Sequence, residues 1–303
     1  MSSFKVNIAI IITLLLWASA FVGIRIGLTG YTPGALALLR FLVASFCMIF
    51  VHRYFAKNNR IPWKSRLQIM LLGMAGIGIY NICLNVGEMT VSAGVASFVI
   101  GLIPVMTIFL SIIFLKERPN VFVWLGMLIS FIGLLGILFG ESSSFTPDAG
   151  VLIILVSALM GGIYNVSQKK FLRDYHPAVI TAWVIWGGTF MLLWFAPDLY
   201  QQINIARHEA TFAAIYMGIF PAAVAYVAWS FVLDNMSASI ASAYLYALPV
   251  LSTAMGFFLL GEIPSVLSLS GGIIALSGAL LASRTRQMKN IRIERLVAVG
   301  EHA

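Results

Sequence analysis

The residues able to do chemistry in this chain are few and fall in patterns. Arg40 lies inside the apolar stretch "GALALLRFLVA", seven residues past Pro33, which is about 10 Å along a helix at 1.5 Å per residue. A charge in such a place is costly and normally faces a partner or a cavity. Facing a cavity, Arg40 can hold a substrate carboxylate through two parallel hydrogen bonds; otherwise it pairs with Glu88 or reaches toward the interface. Tyr80 precedes a second set, in which Asn81, Asn85 and Glu88 stand at i, i+4 and i+7 and share one helix face. That stripe either lines a wet cavity or bonds to a neighbouring helix, and its terminal carboxylate favours the cavity. Tyr164, Asn165 and Gln168 form a third set. Tyr226 and Trp229 stand at i, i+3, Trp17 and Phe21 at i, i+4, and Ser242, Tyr244 and Tyr246 follow nearer the end. Aromatics in mid-stretch are not an interfacial belt. A ring of them with a few amides suits an amphipathic or aromatic organic solute, packing being the alternative fate of each.

The elements that must carry these residues are set by composition. The chain has 303 residues, 60% of them hydrophobic and only 10% charged, whereas a soluble domain is about 25% charged. The solvent is therefore a bilayer, and the net charge of +8 lies between apolar runs rather than on a polar nucleic-acid-binding face. Cys47 and Cys83 are too few for a disulfide framework or a zinc site and read as small core residues. All four histidines, His52, His176, His208 and His302, lie at run ends, in loops or in the tail. With no Asp or Glu at mid-run, an internal proton relay has little to stand on, although Glu88 near an edge can titrate. An intramembrane enzyme would need paired aspartates, a His–zinc set or a Ser/His pair, and none is present. No cofactor or metal is expected.

A bilayer core takes about 20 apolar residues per helix, and ten runs qualify: 7–28, 33–52, 67–88, 91–115, 121–140, 149–168, 178–196, 211–233, 236–260 and 265–283. Lys and Arg concentrate in short cytoplasmic loops. With the N-terminus inside, the inner segments hold Lys5, the group Arg53 to Arg66, Lys116 and Arg118, the group Lys169 to Arg173, and Arg284 onward, leaving Arg25 and Arg207 outside. Both termini are thus expected in the cytoplasm. The basic tail 285–303 is expected to lie on the anionic inner surface.

Shifting the sequence by 145 positions lays 91–136 over 236–281 without a gap: "SAGVASFVIGLIPV" over "SASIASAYLYALPV", and "LKERPNV" over "LGEIPSV". Pro104/Pro249, Glu117/Glu262, Gly126/Gly271 and Gly133/Gly278 coincide. Allowing one residue of slip earlier, Pro33 falls on Pro177. Each copy holds five runs, an odd number, so the second must be inverted, which is an architecture of secondary transporters. The expected units are 1–140 and 141–284. "LLLWASA" could end a cleaved secretory signal, but removal would delete the first span, so it reads as a retained helix. Pro104 and Pro249 in equivalent spans each remove a backbone hydrogen bond and are candidate hinges. Glu117 and Glu262 read as structural, each able to cap the helix that follows.

"LLLWASAFVGIRIGL" followed by "LALLRFLVA", with "SAGVASFVIGLIPVMTIFLSIIFLKERP" and its echo "SASIASAYLYALPVLSTAMGFFLLGEIP", resembles EamA-type members of the drug/metabolite transporter superfamily, over residues 7–284. The resemblance implies an all-α integral membrane protein of the bacterial inner membrane, ten transmembrane helices around a cavity between the halves, exporting metabolites or drugs. Together with Arg40 it suggests an exporter of amino acids or related carboxylates, working by alternating access. The rival is a multidrug exporter of lipophilic cations using Glu88 as its acid and coupling group. Expected partners are a small-molecule substrate and membrane lipid, no nucleic acid, and at most a weak homodimer.

Overall fold

A computed structural model describes residues 3–56, 61–91, 93–141, 149–261, 265–267 and 269–282. The loop residues 57–60 and 142–148, Ser92, Glu262, Pro264 and the basic tail 285–303 lie outside the described residues. Among the described residues the chain forms helices joined by turns, with no strand. Eight helices are long and apolar enough to cross a bilayer: Phe4–Gly27, Pro33–Phe55, Trp63–Gly87, Ala93–Leu115, Ala149–Phe171, Pro177–Gln202, His208–Asn235 and Ala238–Leu259. Two shorter apolar helices, Val121–Gly136 and Leu269–Ala282, occupy the places of the fifth and tenth expected spans. The spans are numbered in that chain order below.

Four of these spans are irregular near mid-length. The third contains a π turn over Met74–Ile79, where the run "GMAGIGI" offers backbone with little side chain to clash. The eighth contains another over Gly218–Val224, with Pro221 inside it. A proline lacks the N–H that an α-turn needs and crowds the carbonyl four residues back, and a wider turn relieves both defects. The fourth span stops at Ile100 and restarts at Ile103. The ninth passes through a 3-10 turn, Tyr244–Ala247, before continuing from Leu248. Pro104 and Pro249 each sit in the first turn after their break. There the missing N–H has no helical partner to lose, so the expected kinks are realised as a break in the fourth span and a tightened 3-10 turn in the ninth.

Close packing mostly joins early spans to late ones. The second packs on the seventh and eighth, the third on the sixth and seventh, and the first on the eighth and ninth. The third and seventh approach through glycine. A Cβ at Gly73 would fall 2.0 Å from the Val184 carbonyl oxygen, and one at Gly187 would fall 2.2 Å from that of Met70. The fifth and tenth helices meet the same way. A Cβ at Gly126 would lie 2.5 Å from the Gly278 oxygen, and one at Gly133 would lie 2.5 Å from the Gly271 oxygen. Between them, Ser130 Oγ donates to the Ala275 carbonyl at 2.9 Å. The pairing is antiparallel. Under the shift of 145, Gly126 meeting Gly278 becomes Gly271 meeting Gly133, so the observed contacts map onto one another.

Glu117 does not cap the helix that follows it. Its Oε1 accepts from the Ala238 backbone N–H at 2.9 Å and its Oε2 from that of Ser239 at 3.1 Å, so it caps the ninth span instead. The N–H groups and positive dipole end at that terminus suit a carboxylate. Cys47 and Cys83 are free and half-buried on their helices.

Candidate functional site

Three of the four irregular segments, those of the third, fourth and ninth spans, line a central cavity. Its wall includes Ile100 and Ile103, on either side of the fourth-span break, and Leu245 and Leu248, at the ninth-span break. Gly76, inside the first π turn, lines it as well. A Cβ there would fall 2.8 Å from Tyr164, so the glycine lets the third span approach that ring. Helix interruptions at such a depth are tolerated where they face protein or a cavity.

Seven of the expected binding residues line this space: Trp17, Arg40, Tyr80, Asn81, Tyr164, Asn165 and Tyr226. Arg40 is 4% exposed. Its Nη1 donates to Asn81 Oδ1 at 3.1 Å, and its guanidinium carbon lies 5.2 Å from the Phe41 ring centre. Of the alternatives open to Arg40, a hydrogen-bonded pair with Glu88 is not formed: among the described residues neither carboxylate oxygen of Glu88 has a hydrogen-bond partner. An uncharged amide therefore orients the guanidinium, and no carboxylate among the described residues is hydrogen-bonded to it. Asn81 in turn donates from Nδ2 to the Ile77 carbonyl at 2.8 Å, within the π turn, which fixes which end of the amide faces Arg40.

Tyr226 is the hub of the aromatic wall, with ring centres at 5.3 Å from Trp17, 5.9 Å from Tyr164 and 6.3 Å from Phe41. Trp17 Nε1 donates to the Pro221 carbonyl at 3.1 Å, linking the first span to the eighth-span π turn. Asn165 is held between Trp229 Nε1, which donates to its Oδ1 at 2.9 Å, and Thr107 Oγ1, to which its Nδ2 donates at 3.2 Å.

The other expected binding residues stand back from the cavity. Trp229 is fully buried behind Asn165 and packs 5.3 Å from Trp17, so it supports the wall rather than forming it. Asn85 donates to the Pro33 carbonyl at 3.0 Å, tying the third span to the start of the second. Ser242 Oγ returns to the Ser239 carbonyl at 3.1 Å. Tyr244 opens the 3-10 turn, where 120° per residue rather than 100° changes the face that each side chain presents; Leu245 and Leu248 line the cavity instead. Pro104 and Pro249 mark the breaks without being lining residues. The sequence reading missed Ile24, Gly76, Leu84, Gly161 and the four apolar residues at the breaks. Plain aliphatics and glycines carry no signal of their own, but the two proline-marked breaks could have pointed to their neighbours.

As a chemical environment, the lining presents one cation, two amides, phenol and indole rings and an aliphatic remainder, with no acidic side chain among its residues. It can hold an anion at Arg40 and an apolar or aromatic body against the rings. Among the described residues no His/Cys/Asp/Glu group is arranged to hold a metal.

The EamA-like transporter family matches the chain twice, over residues 4–139 and 148–284. A Bacillus subtilis protein, the uncharacterized transporter YdfC, is 40% identical over 87% of this chain and 86% of its own length. The "probable terminal-alkyne amino-acid exporter" of Streptantibioticus cattleyicolor is 32% identical over 91% of this chain and 92% of its own. A solved crystal structure that is 20% identical in sequence superposes with a TM-score of 0.74, covering 95% of this chain and 99% of that one, which establishes the likeness of fold.

Proposed function

This chain belongs to the EamA-like transporter family, and from that premise we propose that it exports amino acids or related carboxylates by alternating access through the central cavity. The observation that carries the reading is Arg40: a buried guanidinium in the cavity wall, oriented by Asn81 and lacking a carboxylate partner. A substrate carboxylate supplies the missing charge through charge-assisted hydrogen bonds, while Trp17, Tyr80, Tyr164 and Tyr226 receive its apolar part. The relative named for amino-acid export supports the same substrate class. The lipophilic-cation alternative has less support, because Glu88, its required acid, is not among the cavity-lining residues.

We assign ten spans in two inverted five-helix repeats, 1–140 and 141–284. The double family match and the shift-related contacts of the fifth and tenth helices support this. A two-fold axis relating antiparallel helices runs perpendicular to them, which for spanning helices means in the membrane plane. The Lys and Arg distribution supports a bacterial inner-membrane protein with both termini and the tail 285–303 in the cytoplasm, working in lipid as a monomer or weak homodimer.

The test is flux in proteoliposomes holding a panel of labelled amino acids and the lipophilic cation tetraphenylphosphonium, for wild type and Arg40→Ala. The expected result is amino-acid flux that falls about tenfold or more without Arg40, as the loss of hydrogen bonds to a charged group implies. Cation flux indifferent to Arg40, with no amino-acid flux, would overturn the proposal and turn attention to Glu88.

A further inference from the structure

Among the described residues, three buried oxygens near one end of the third span have no donor. Glu88 is 5% exposed, and neither Oε1 nor Oε2 has a hydrogen-bond partner. Asn85 is 1% exposed; its Nδ2 is used on Pro33, but its Oδ1 has none. The two residues stand at i, i+3 on one face, outside the cavity lining. An ionised carboxylate buried without hydrogen bonds is strongly disfavoured. A protonated carboxyl removes the charge and provides the O–H donor that this group of acceptors lacks.

The charged groups acting on Glu88 are Arg25 of the first span and Arg40 of the second, with the Tyr80 phenol on its own span. From the sixth span, Ile154 and Gly150 meet the adjoining Gly87, and neither titrates. Arg40 holds Asn81, seven residues before Glu88, about 10 Å along the helix, and screening is weak across buried protein. The charge of Arg40, bonded to no carboxylate, therefore favours ionised Glu88. A carboxylate bound at Arg40 cancels that influence and favours the protonated form.

We propose that Glu88 and Asn85 form a proton site that fills together with the carboxylate at Arg40, making this protein a carboxylate–proton cotransporter. This rests on the transport reading above. One proton passes from water to Glu88 as each carboxylate binds, and both leave on the opposite side. Export down the substrate's own gradient then carries a proton outward.

Infrared titration of the full chain in lipid reads the proton directly. At neutral pH a protonated-carboxyl band is expected to grow as phenylalanine is added to wild type, shifting in deuterated water and missing from Glu88→Gln. In Arg40→Gln, which removes the positive charge as a bound carboxylate would, its titration midpoint is expected at least one pH unit higher. A spectrum unchanged by Glu88→Gln, or equal midpoints with and without Arg40, would overturn the proposal. In proteoliposomes, an outside-acid gradient is expected to concentrate labelled phenylalanine several-fold in wild type. In Glu88→Gln the vesicles should fill only to the outside concentration. Concentration driven instead by an inside-acid gradient, or equal in both proteins, also defeats cotransport. Absence of any phenylalanine flux counts against the carboxylate substrate and leaves the infrared result to judge the proton site.

Discussion

The third and eighth spans both widen into π turns, Met74–Ile79 and Gly218–Val224, and the fourth and ninth both break just before a proline. These paired irregularities fall about 145 positions apart, so residues 1–140 and 141–284 bend in the same places. Their polar side chains do not correspond. Under the same alignment Arg40 falls on Val184, Asn81 on Tyr226 and Glu88 on Leu233. The wall built by the second and third spans carries the charge, an amide and the Tyr80 ring, whereas the eighth span brings the single ring of Tyr226. Backbone interruption is thus what the halves share, and polarity is where they differ. Paired interruptions place matched irregular turns on both sides of the cavity. Unmatched side chains give that cavity a direction in which a carboxylate and an apolar body can be told apart.

Substitutions can break this comparison at its shared and unshared parts. The largest expected effect lies in the shared scaffold. Gly133→Val places a side chain where even a Cβ would be 2.3 Å from the Ala275 nitrogen. Backbone cannot yield as a flexible side chain does, so the cost should be at the upper end of the roughly 1–3 kcal/mol typical of overpacking, or above it. Thermal unfolding in detergent followed by size-exclusion should show loss of monodisperse protein well below the wild-type transition. Gly272→Ala, on the same tenth helix, is the control: its Cβ would find ordinary contact at 3.4 Å from Val250, and its change should stay within about 0.5 kcal/mol. Next comes the unshared part. Asn81→Ala frees Arg40 to take other orientations and should weaken the half-saturating substrate concentration about tenfold, in line with one hydrogen bond to a charged group. Flux measured against substrate concentration checks this, and an unchanged value would remove Asn81 from the site. The smallest effect is at the seam: Ser130→Ala removes the bond to the Ala275 carbonyl and should cost about 0.6 kcal/mol, read as a slightly lower unfolding temperature with flux unaffected.

Much of the architecture is legible because a bilayer leaves the chain few choices. Apolar runs, turn signals and proline positions locate the spans, and Pro104 and Pro249 mark the two breaks. The π turn at Met74–Ile79 is not legible in that way: no proline marks it, and glycine-rich runs serve close packing as often as irregular backbone. Arg40, Asn81 and the aromatic wall follow from residue type and helical spacing. The retreat of Trp229, Ser242 and Tyr244 does not, because one turn of altered winding rotates a face away from where regular spacing puts it. Contacts between distant residues were beyond reach as well. Nothing near Glu117 in sequence says that its carboxylate caps Ala238 and Ser239, and nothing near Arg40 says that Asn81, rather than Glu88, receives it.

The alternation of early and late spans has a consequence for how the protein is made. The second span packs on the seventh and eighth, the third on the sixth and seventh, and the first on the eighth and ninth. A nascent chain that has reached residue 140 therefore lacks most of its final neighbours. Proteins of several domains usually complete each one as it leaves the ribosome; this one must keep its first four long apolar helices, Arg40 among them, waiting until the later ones arrive. Its assembly is a single late event, and a truncation after the first half should yield a substrate for membrane quality control rather than half a transporter.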